Sequence, residues 1–265
     1  MKVPISVIVI TKNEEARIEK CLKGVKDWAE EIIIVDDYSV DSTREIASRF
    51  TDKIFVRKME KEGEHRNWAH TKAKYDWILS LDADEVLTEE LKKEIEQIFN
   101  SKMNLEFSGF TIPRKNFIGN YWMRATSQYP AAQLKLFCKD KFRWEEVEVH
   151  PRAFLKGKCG HLKNPILHYT YRNFEDFLQK LNRQTTLEAQ KWFNIYKINP
   201  KKANYKMNLI HACWRALDRF MRYYFVKKGY KDGFIGFMMA IFSSLYQLVS
   251  YAKYWELKNE GSISR

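Results

Sequence analysis

The sequence predicts an α/β protein with a doubly wound, Rossmann-like mixed sheet, followed by a C-terminal helical extension. Two stretches, Ile5–Ile10 and Glu31–Val35, are runs of mainly β-branched residues, which are typical of strands buried on both faces of a sheet. Strands alternate with helices over the first hundred residues, and polar residues follow the strands. Because ligands of such sheets bind at the carboxyl ends of the strands, we expect a site there.

The elements follow in a regular order. The predicted strands of the first hundred residues are Ile5–Ile10, Glu31–Val35, Lys53–Val56 and Trp77–Leu81. Helices are predicted up to about Trp28, from Asp41, within Gly63–Lys74, and from Thr88 to about Asn100. Shorter strands are predicted at Phe110–Pro113, Gln133–Phe137 and Pro165–His168, with a polar, aromatic loop at Asn120–Pro130.

Composition restricts the class of protein and of partner. The 265 residues are enough for one large or two small domains, and the net charge of +12 predicts an anionic partner such as nucleic acid, anionic lipid or a phosphorylated substrate. A lysine-rich solubilising surface is the alternative. The four cysteines stand far apart, so neither a zinc site nor a disulfide framework is expected. We therefore expect the protein in a reducing cytoplasm. The N-terminus shows no signal-peptide pattern.

The acidic group Asp82, Asp84 and Glu85 directly follows the strand Trp77–Leu81. Carboxylates placed this closely repel one another, and Mg²⁺ or Mn²⁺ is a common counter-charge that shares its oxygen ligands with substrate phosphates. The alternative is a solvated acidic turn that caps the next helix. Neither GxGxxG nor GxxxxGK[ST] occurs, so a dinucleotide oxidoreductase and a P-loop ATPase are not expected.

A second group of polar residues alternates in the stretch Trp144–His150. If this stretch is a strand, Glu146, Glu148 and His150 share one face, and a carboxylate there could act as a general base. An ordinary solvent-facing strand explains the same alternation.

The C-terminal hundred residues are predicted to be helical. Met207–Lys228 has an apolar stripe and a basic one with Arg215, Arg219 and Arg222, and the eighteen residues Phe234–Tyr251 carry no charge. Such a pair suits a membrane interface, and the polar residues within the second helix argue against spanning. Two core helices, packed on each other or on a dimer mate, are the alternative.

Three motifs in order, ISVIVITKNEE, EIIIVDDYSVDST and WILSLDADE, resemble the inverting family 2 glycosyltransferases of the GT-A fold. A weaker similarity, carried by LKLFCKDKF, VEVHPR, ILHYTY and YYFVKKGYKDGFIGF, extends to the lipopolysaccharide core β-1,4-glucosyltransferase group. Many members of that group have a Glu directly after the His of the VH pair, where this chain has Pro151.

The resemblance implies a donor, a metal and a base. The donor is a UDP-sugar, and the residues implied to line its site are Thr11, Asn13, Glu14, Asp36, Asp37, Arg66, Asn67, Asp82 and Ala83. Asp82 and Asp84, with His168, are implied to hold Mg²⁺ or Mn²⁺, and Glu148 or Glu146 is the implied base. Residues 1–170 form the catalytic domain, with a nucleotide-sugar half of about 1–105 and an acceptor half of about 106–170, and 171–265 form the extension.

The resemblance also implies partners and a location. A phosphorylated lipid-linked or lipopolysaccharide acceptor at the inner face of the cytoplasmic membrane would meet the arginine stripe and the pair Lys227–Lys228. The resemblance thus implies a cytoplasmic enzyme at the periphery of the membrane, with no nucleic-acid partner. It leaves undecided whether the enzyme forms a homodimer. Two alternatives remain: a basic nucleic-acid-binding protein, and a nucleotidyltransferase on a similar fold. The second lacks an early glycine-rich triphosphate loop.

Overall fold

The computed structural model describes residues 2–147 and 152–263, with backbone only for 260–263. The chain divides into two compact units. The first consists of Met1–Lys115 and Pro130–Tyr169, and the second of Asn116–Tyr129 and Thr170–Arg265.

The strands confirm the predicted order and add short ones. They are β1 (Val3–Thr11), β2 (Ala29–Asp36), β3 (Ile54–Val56), β4 (Trp77–Asp82), β5 (Glu85–Leu87), β6 (Gly109–Ile112), β7 (Arg114–Ile118), β8 (Tyr121–Trp122), β9 (Gln133–Cys138), β10 (Phe142–Trp144), β11 (Ala153–Leu155), β12 (Cys159–His161) and β13 (Ile166–Tyr171). The helices of the first unit are α1 (Ile18–Lys23), α2 (Thr43–Ser48), α3 (Glu62–His70) and α4 (Glu89–Asn100).

The first unit is built on a seven-stranded mixed sheet with the order β12-β6-β9-β4-β1-β2-β3. The pairs β1–β2, β1–β4, β2–β3 and β12–β6 are parallel, whereas β9 runs antiparallel to both β4 and β6. The predicted doubly wound mixed sheet is therefore confirmed. The parallel strands β1, β2 and β4 are neighbours, so their carboxyl ends meet at one edge.

Both faces of this sheet are covered, as the β-branched runs predicted. Val7 and Val9 of β1 belong to one buried cluster with Leu22 of α1 and Ile95 of α4, and Ile8 belongs to a second cluster on the opposite side. Successive side chains of a strand point to opposite faces, so one apolar run supplies both clusters. Full burial of each such side chain stabilises the fold by about 1.5–3 kcal/mol.

The strand expected across Trp144–His150 is wrong for its described part. β10 ends at Trp144 and pairs with β11, with Trp144 opposite Ala153, and residues 145–147 are outside any strand. Just beyond the last pair, the Glu145 amide donates to the Arg152 carbonyl at 2.8 Å, and the two side chains form an ion pair at 2.7 Å. Glu146 therefore lies beyond the end of β10.

The second unit is mostly helical. Its helices are α5 (Phe174–Ile198), α6 (Pro200–Lys206), α7 (Leu209–Met221), which continues as a π-helical turn over Arg222–Val226, and α8 (Gly233–Ile263). Asn side chains cap three of them, since Asn173, Asn199 and Asn208 accept backbone N–H groups of the first turns.

Helix α8 continues past the uncharged run Phe234–Tyr251, and its last turns have partners on α5. Tyr254 is buried beside Tyr196 of α5, and the Lys253 ammonium donates to Asn182 and to the two following threonines of α5. Among the described residues, one segment, Gly229–Asn259, is long and apolar enough to cross a bilayer, with a third of its most apolar window buried in the protein. Core helices of soluble proteins meet the same criterion.

Candidate functional site

A polar cavity of about 300 Å³ lies in the first unit, where β1, β2 and β4 end. Its lining residues are Ile10, Thr11, Lys12, Glu14, Asp37, Met59, Asp82, Ala83, Asp84, Arg114 and His168. The strand-end acids therefore meet at one place. The antiparallel pairing of β5 with β13 sets His168 opposite Glu85, and the Tyr169 amide donates to the Asp84 carbonyl at 2.9 Å.

Asp82 is held between two cations. One carboxylate oxygen accepts from Arg66 Nη2 at 3.0 Å and the other from Lys135 Nζ at 2.9 Å, and Lys135 also contacts Glu85 at 2.7 Å. The Glu85 side chain is fully buried and that of Lys135 is 5% exposed. Burial alone would raise the pKa of Asp82, but the charges of Lys135 and Arg66 outweigh it and hold that pKa well below its usual range.

Sequence reasoning missed Lys135. The repulsion among the acids was assigned to a metal ion, whereas Lys135 and Arg66 supply counter-charges from the chain itself. Burial acts to lower the pKa of Lys135, yet Asp82 and Glu85 raise it overall, so the ammonium stays charged. The sequence does contain a lysine inside the apolar stretch LKLF. Its role as a counter-charge follows only from the pairing of β9 with β4.

Asp84 has a different environment from Asp82. Its Oδ2 lies 3.5 Å from His168 Nε2 and 3.9 Å from Arg17 Nη1, and the Arg17 guanidinium forms a bidentate ion pair with Glu14 at 2.6 and 2.7 Å. Asp84 and His168 are each 14% exposed.

Carboxylates and imidazoles are both side chains that bind divalent cations in proteins. Within residues 2–147 and 152–263, no three His, Cys, Asp or Glu side chains form a group that could hold an ion.

Asp37 lies on the other side of the cavity. Its oxygens accept from Lys12 Nζ at 2.7 Å and from the Met59 amide at 3.0 Å, and its own amide donates to the Thr11 carbonyl. Burial raises the pKa of Asp37, but these donors outweigh it and lower the pKa overall. The Thr11 hydroxyl is buried and has no hydrogen-bond partner among the described residues. This part of the cavity therefore offers a charged acceptor beside a hydroxyl.

Four of the predicted binding residues do not line the cavity but hold the elements around it. The Asn13 side chain accepts the Val40 amide, and Asp36 accepts the Ser39 amide, so both fix the loop after β2. Arg66 binds Asp82, as described above. Asn67 exchanges two hydrogen bonds, of 3.0 and 2.8 Å, with the Trp144 backbone at the end of β10.

The two predicted bases differ in what the structure describes. Glu146 is exposed, follows the end of β10 and is not among the residues that line the cavity. Glu148 and His150 lie outside the described residues.

Comparison with known proteins identifies the family. The sequence pattern of the family described as "Glycosyl transferase family 2" matches residues 6–153, which include most of β1, the whole of β2 and β4, and the acids at the ends of these strands. The chain belongs to glycosyl transferase family 2. This membership and the mixed α/β sheet confirm the predicted GT-A fold. They favour a glycosyltransferase over the nucleic-acid-binding protein and the nucleotidyltransferase.

Curated relatives match over nearly the full length of this glycosyltransferase. An uncharacterised glycosyltransferase of Rickettsia typhi is 27% identical over 264 residues, covering 96% of this chain and 87% of the relative. The lipopolysaccharide core biosynthesis glycosyltransferase LpsC of Rhizobium meliloti is 23% identical over 262 residues, covering 96% of this chain and 93% of LpsC. Among solved structures, S. aureus TarS 1–349 in complex with UDP has a TM-score of 0.48 at 14% identity, covering 100% of this chain and 92% of that one.

Proposed function

We propose that this glycosyltransferase moves a hexosyl group, glucose or a related sugar, from a UDP-sugar to a hydroxyl of a lipid-linked or lipopolysaccharide-core acceptor, with inversion. The observation that carries the proposal is the convergence of Asp37, Asp82 and Asp84 with His168 on one cavity at the strand ends of a family 2 chain. The name of the LpsC relative supports the acceptor class.

Each side of the cavity has a separate task in donor binding. Asp37 and the unpartnered Thr11 hydroxyl suit the polar edge of a nucleoside, since a carboxylate accepts from uracil N3–H or ribose hydroxyls. Asp84 and His168 would hold Mg²⁺ or Mn²⁺, which supplies neutralising charge to the leaving diphosphate. Arg66 and Lys135 keep Asp82 ionised and fixed at the end of β4.

The reaction needs a base on the acceptor side. The acceptor oxygen forms a bond to the anomeric carbon while the bond from that carbon to the diphosphate oxygen breaks, and a carboxylate takes the hydroxyl proton. Glu148 is the first candidate and Glu146 the second, as the sequence indicated. Glu148→Gln should lower kcat while leaving donor affinity unchanged. A normal kcat in that variant would move the assignment to Glu146.

We further propose a peripheral location at an anionic membrane, with α7 as the contacting element. Ile210, Trp214, Leu217 and Met221 recur at helical spacing and are 47–84% exposed. The second unit has 18 Lys and Arg against 7 Asp and Glu, a net charge of +11. An exposed apolar stripe on a strongly basic unit complements an anionic bilayer surface.

The donor assignment is tested by a thermal-shift panel of UDP, GDP, CDP and dTDP, each with Mn²⁺ and with EDTA. A ligand that binds only the folded protein raises Tm by mass action. We expect UDP with Mn²⁺ to give the largest shift and EDTA to reduce it. Equal shifts with all four nucleotides, or none, would overturn the UDP-sugar assignment. UTP with Mg²⁺, added as a fifth ligand, separates nucleotidyl transfer, which predicts a larger shift for the triphosphate.

A further inference from the structure

The second unit contains a cavity of its own, of about 700 Å³, between the segments Arg124–Tyr129 and Val226–Asp232. We propose that it binds a phosphoryl group. Its lining residues are Arg124, Ala125, Thr126, Ser127, Tyr129, Val226, Lys227, Lys228, Lys231 and Asp232. The assignment of this phosphoryl group to the acceptor rests on the proposed function. The binding site itself is argued independently of that function.

Four cations line this cavity, which we call the basic cavity: Arg124, Lys227, Lys228 and Lys231. None of them forms an ion pair with another side chain in the described part of the chain, unlike Lys12 and Arg114, which line the polar cavity of the first unit. Arg124 is placed over the Trp122 ring at 4.9 Å, and Lys227 over the Tyr223 ring at 4.5 Å. Unpaired cations that converge on one space create a field that favours an anion.

The single carboxylate of the lining does not neutralise these cations by direct pairing. Asp232 is 4% exposed, and its oxygens accept the backbone N–H groups of Arg124 at 3.0 Å and Ala125 at 2.8 Å. Its charge is therefore used to hold the segment that carries Arg124 against the start of α8.

Thr126 provides an independent observation. This residue lines the basic cavity and is 3% exposed, yet its Oγ1 has no hydrogen-bond partner among the described residues. Leaving a buried hydroxyl without a hydrogen bond is unfavourable, so a ligand oxygen that accepts from it would remove this penalty. The Thr126 amide is already used, since it donates to the Lys227 carbonyl at 3.0 Å and ties the two segments together.

The motif KKGYKDGFIG builds the second wall of the cavity. Lys228 has a positive φ of 57°, which turns the chain directly after the π-helical turn. A Cβ on Gly229 would lie 2.6 Å from the Tyr223 carbonyl oxygen, and one on Gly236 only 1.8 Å from the Gly229 carbonyl oxygen. The two glycines are thus needed for the close approach of the backbone that brings Lys227, Lys228 and Lys231 to one space.

A phosphoryl group matches this donor set better than a carboxylate does. It offers up to two negative charges and several acceptor oxygens, which four cations and a hydroxyl can all bind. Lysines bind phosphate as mobile point charges, so a pocket of three lysines needs no planar partner. The phosphate can come from a lipid headgroup or from a soluble phosphate, and the experiment separates these sources.

The test is lysine acetylation of the full-length protein, read by mass spectrometry with millimolar inorganic pyrophosphate. Labelling of Lys227, Lys228 and Lys231 should fall about threefold, because charge-assisted hydrogen bonds to the anion shield the amines. The exposed lysines Lys201 and Lys202 of α6 serve as internal reference. In Thr126→Val, protection should weaken. In the double variant Lys228→Asn/Lys231→Ala, protection of Lys227 should be lost, whereas Lys201→Ala should behave as wild type.

Vesicles separate the two sources. Protection by phosphatidic acid vesicles, but not by phosphatidylglycerol vesicles, would assign a headgroup phosphate, and protection by pyrophosphate alone would assign a soluble one. No protection by any probe, or equal protection by both kinds of vesicle without pyrophosphate protection, would overturn the proposal. Because the labelling needs no donor, metal or turnover, its failure leaves the transferase assignment untouched, and failure of the nucleotide panel leaves this site untouched.

Discussion

The two units of this glycosyltransferase use their charges in opposite ways. The first unit has 28 Lys and Arg against 27 Asp and Glu, so it is nearly neutral, and its site residues are paired with one another. The second unit carries a net charge of +11, and four of its cations line a cavity without an ion-pair partner among the described residues. Internal pairing fixes side chains for chemistry, whereas unpaired charge is available to a partner from outside.

Among these predictions, we expect the largest effect from substitution of Lys135, which pairs with two carboxylates of the first unit. In Lys135→Met, the buried Glu85 and the adjacent Asp82 lose their shared cation, and we expect the free energy of unfolding to fall by about 3–5 kcal/mol. Urea denaturation measures this. Lys141→Met, an exposed lysine beside β10, is the matched control and should change stability little. A loss below about 1 kcal/mol would mean that the network is not a paired unit.

The pH dependence of stability provides a milder test of the same network. The pKa of Asp82 is lower in the folded than in the unfolded protein, so its contribution is present above the unfolded pKa of about 3.9 and is lost as the pH falls toward the folded pKa. Between pH 6 and pH 3, Asp82→Asn should therefore lose less stability than wild type, by about 1 kcal/mol. Parallel curves for the two proteins would contradict the lowered pKa.

The outward use of the second unit is tested on α7. Leu217→Glu places a charge on the exposed apolar stripe, and binding to vesicles that contain phosphatidylglycerol should weaken about 30-fold, as expected from about 2 kcal/mol of lost apolar burial. Leu178→Glu changes an equally typical exposed leucine, on α5, and is the control. Equal losses in co-sedimentation with the two variants would show that α7 is not the contacting face.

Removal of a single arginine of the second unit should have the smallest effect on vesicle binding. Arg219→Ala should weaken the same vesicle binding about fivefold at low salt, from about 1 kcal/mol per charge, and the difference should shrink at high salt. Lys93→Ala removes one exposed charge from α4 of the first unit and should not matter. An equal effect of both variants would indicate non-specific attraction by the whole protein.

The contrast between the units also explains what the sequence could predict. The β-branched runs around Val7 and Ile34 predicted strands buried on both faces, and Thr88 predicted the start of α4, where its hydroxyl accepts the Leu91 amide. These features depend on neighbours in sequence. The meeting of the acids after β1, β2 and β4 followed from the general geometry of parallel sheets.

Features that depend on distant pairing could not be predicted in the same way. Lys135 lies 53 residues from Asp82 in sequence and contacts it because β9 runs antiparallel to β4. Nothing in the local sequence indicates that register. The segment Asn116–Tyr129 belongs to the second unit because Asp232 and the Lys227 carbonyl bind its backbone. The polar loop expected there is thus a wall of the basic cavity.

We propose that the first unit forms a metal-assisted nucleotide-sugar site with Asp84 at its centre. Calorimetric titration of UDP tests it most directly, with Mn²⁺ and with EDTA, in wild type, Asp84→Asn and the exposed control Asp140→Asn. We predict that Mn²⁺ strengthens UDP binding to wild type and to Asp140→Asn about tenfold or more. Asp84→Asn should lose this gain, because one of the two proposed protein ligands is weakened. The same Mn²⁺-dependent gain in Asp84→Asn would contradict the account.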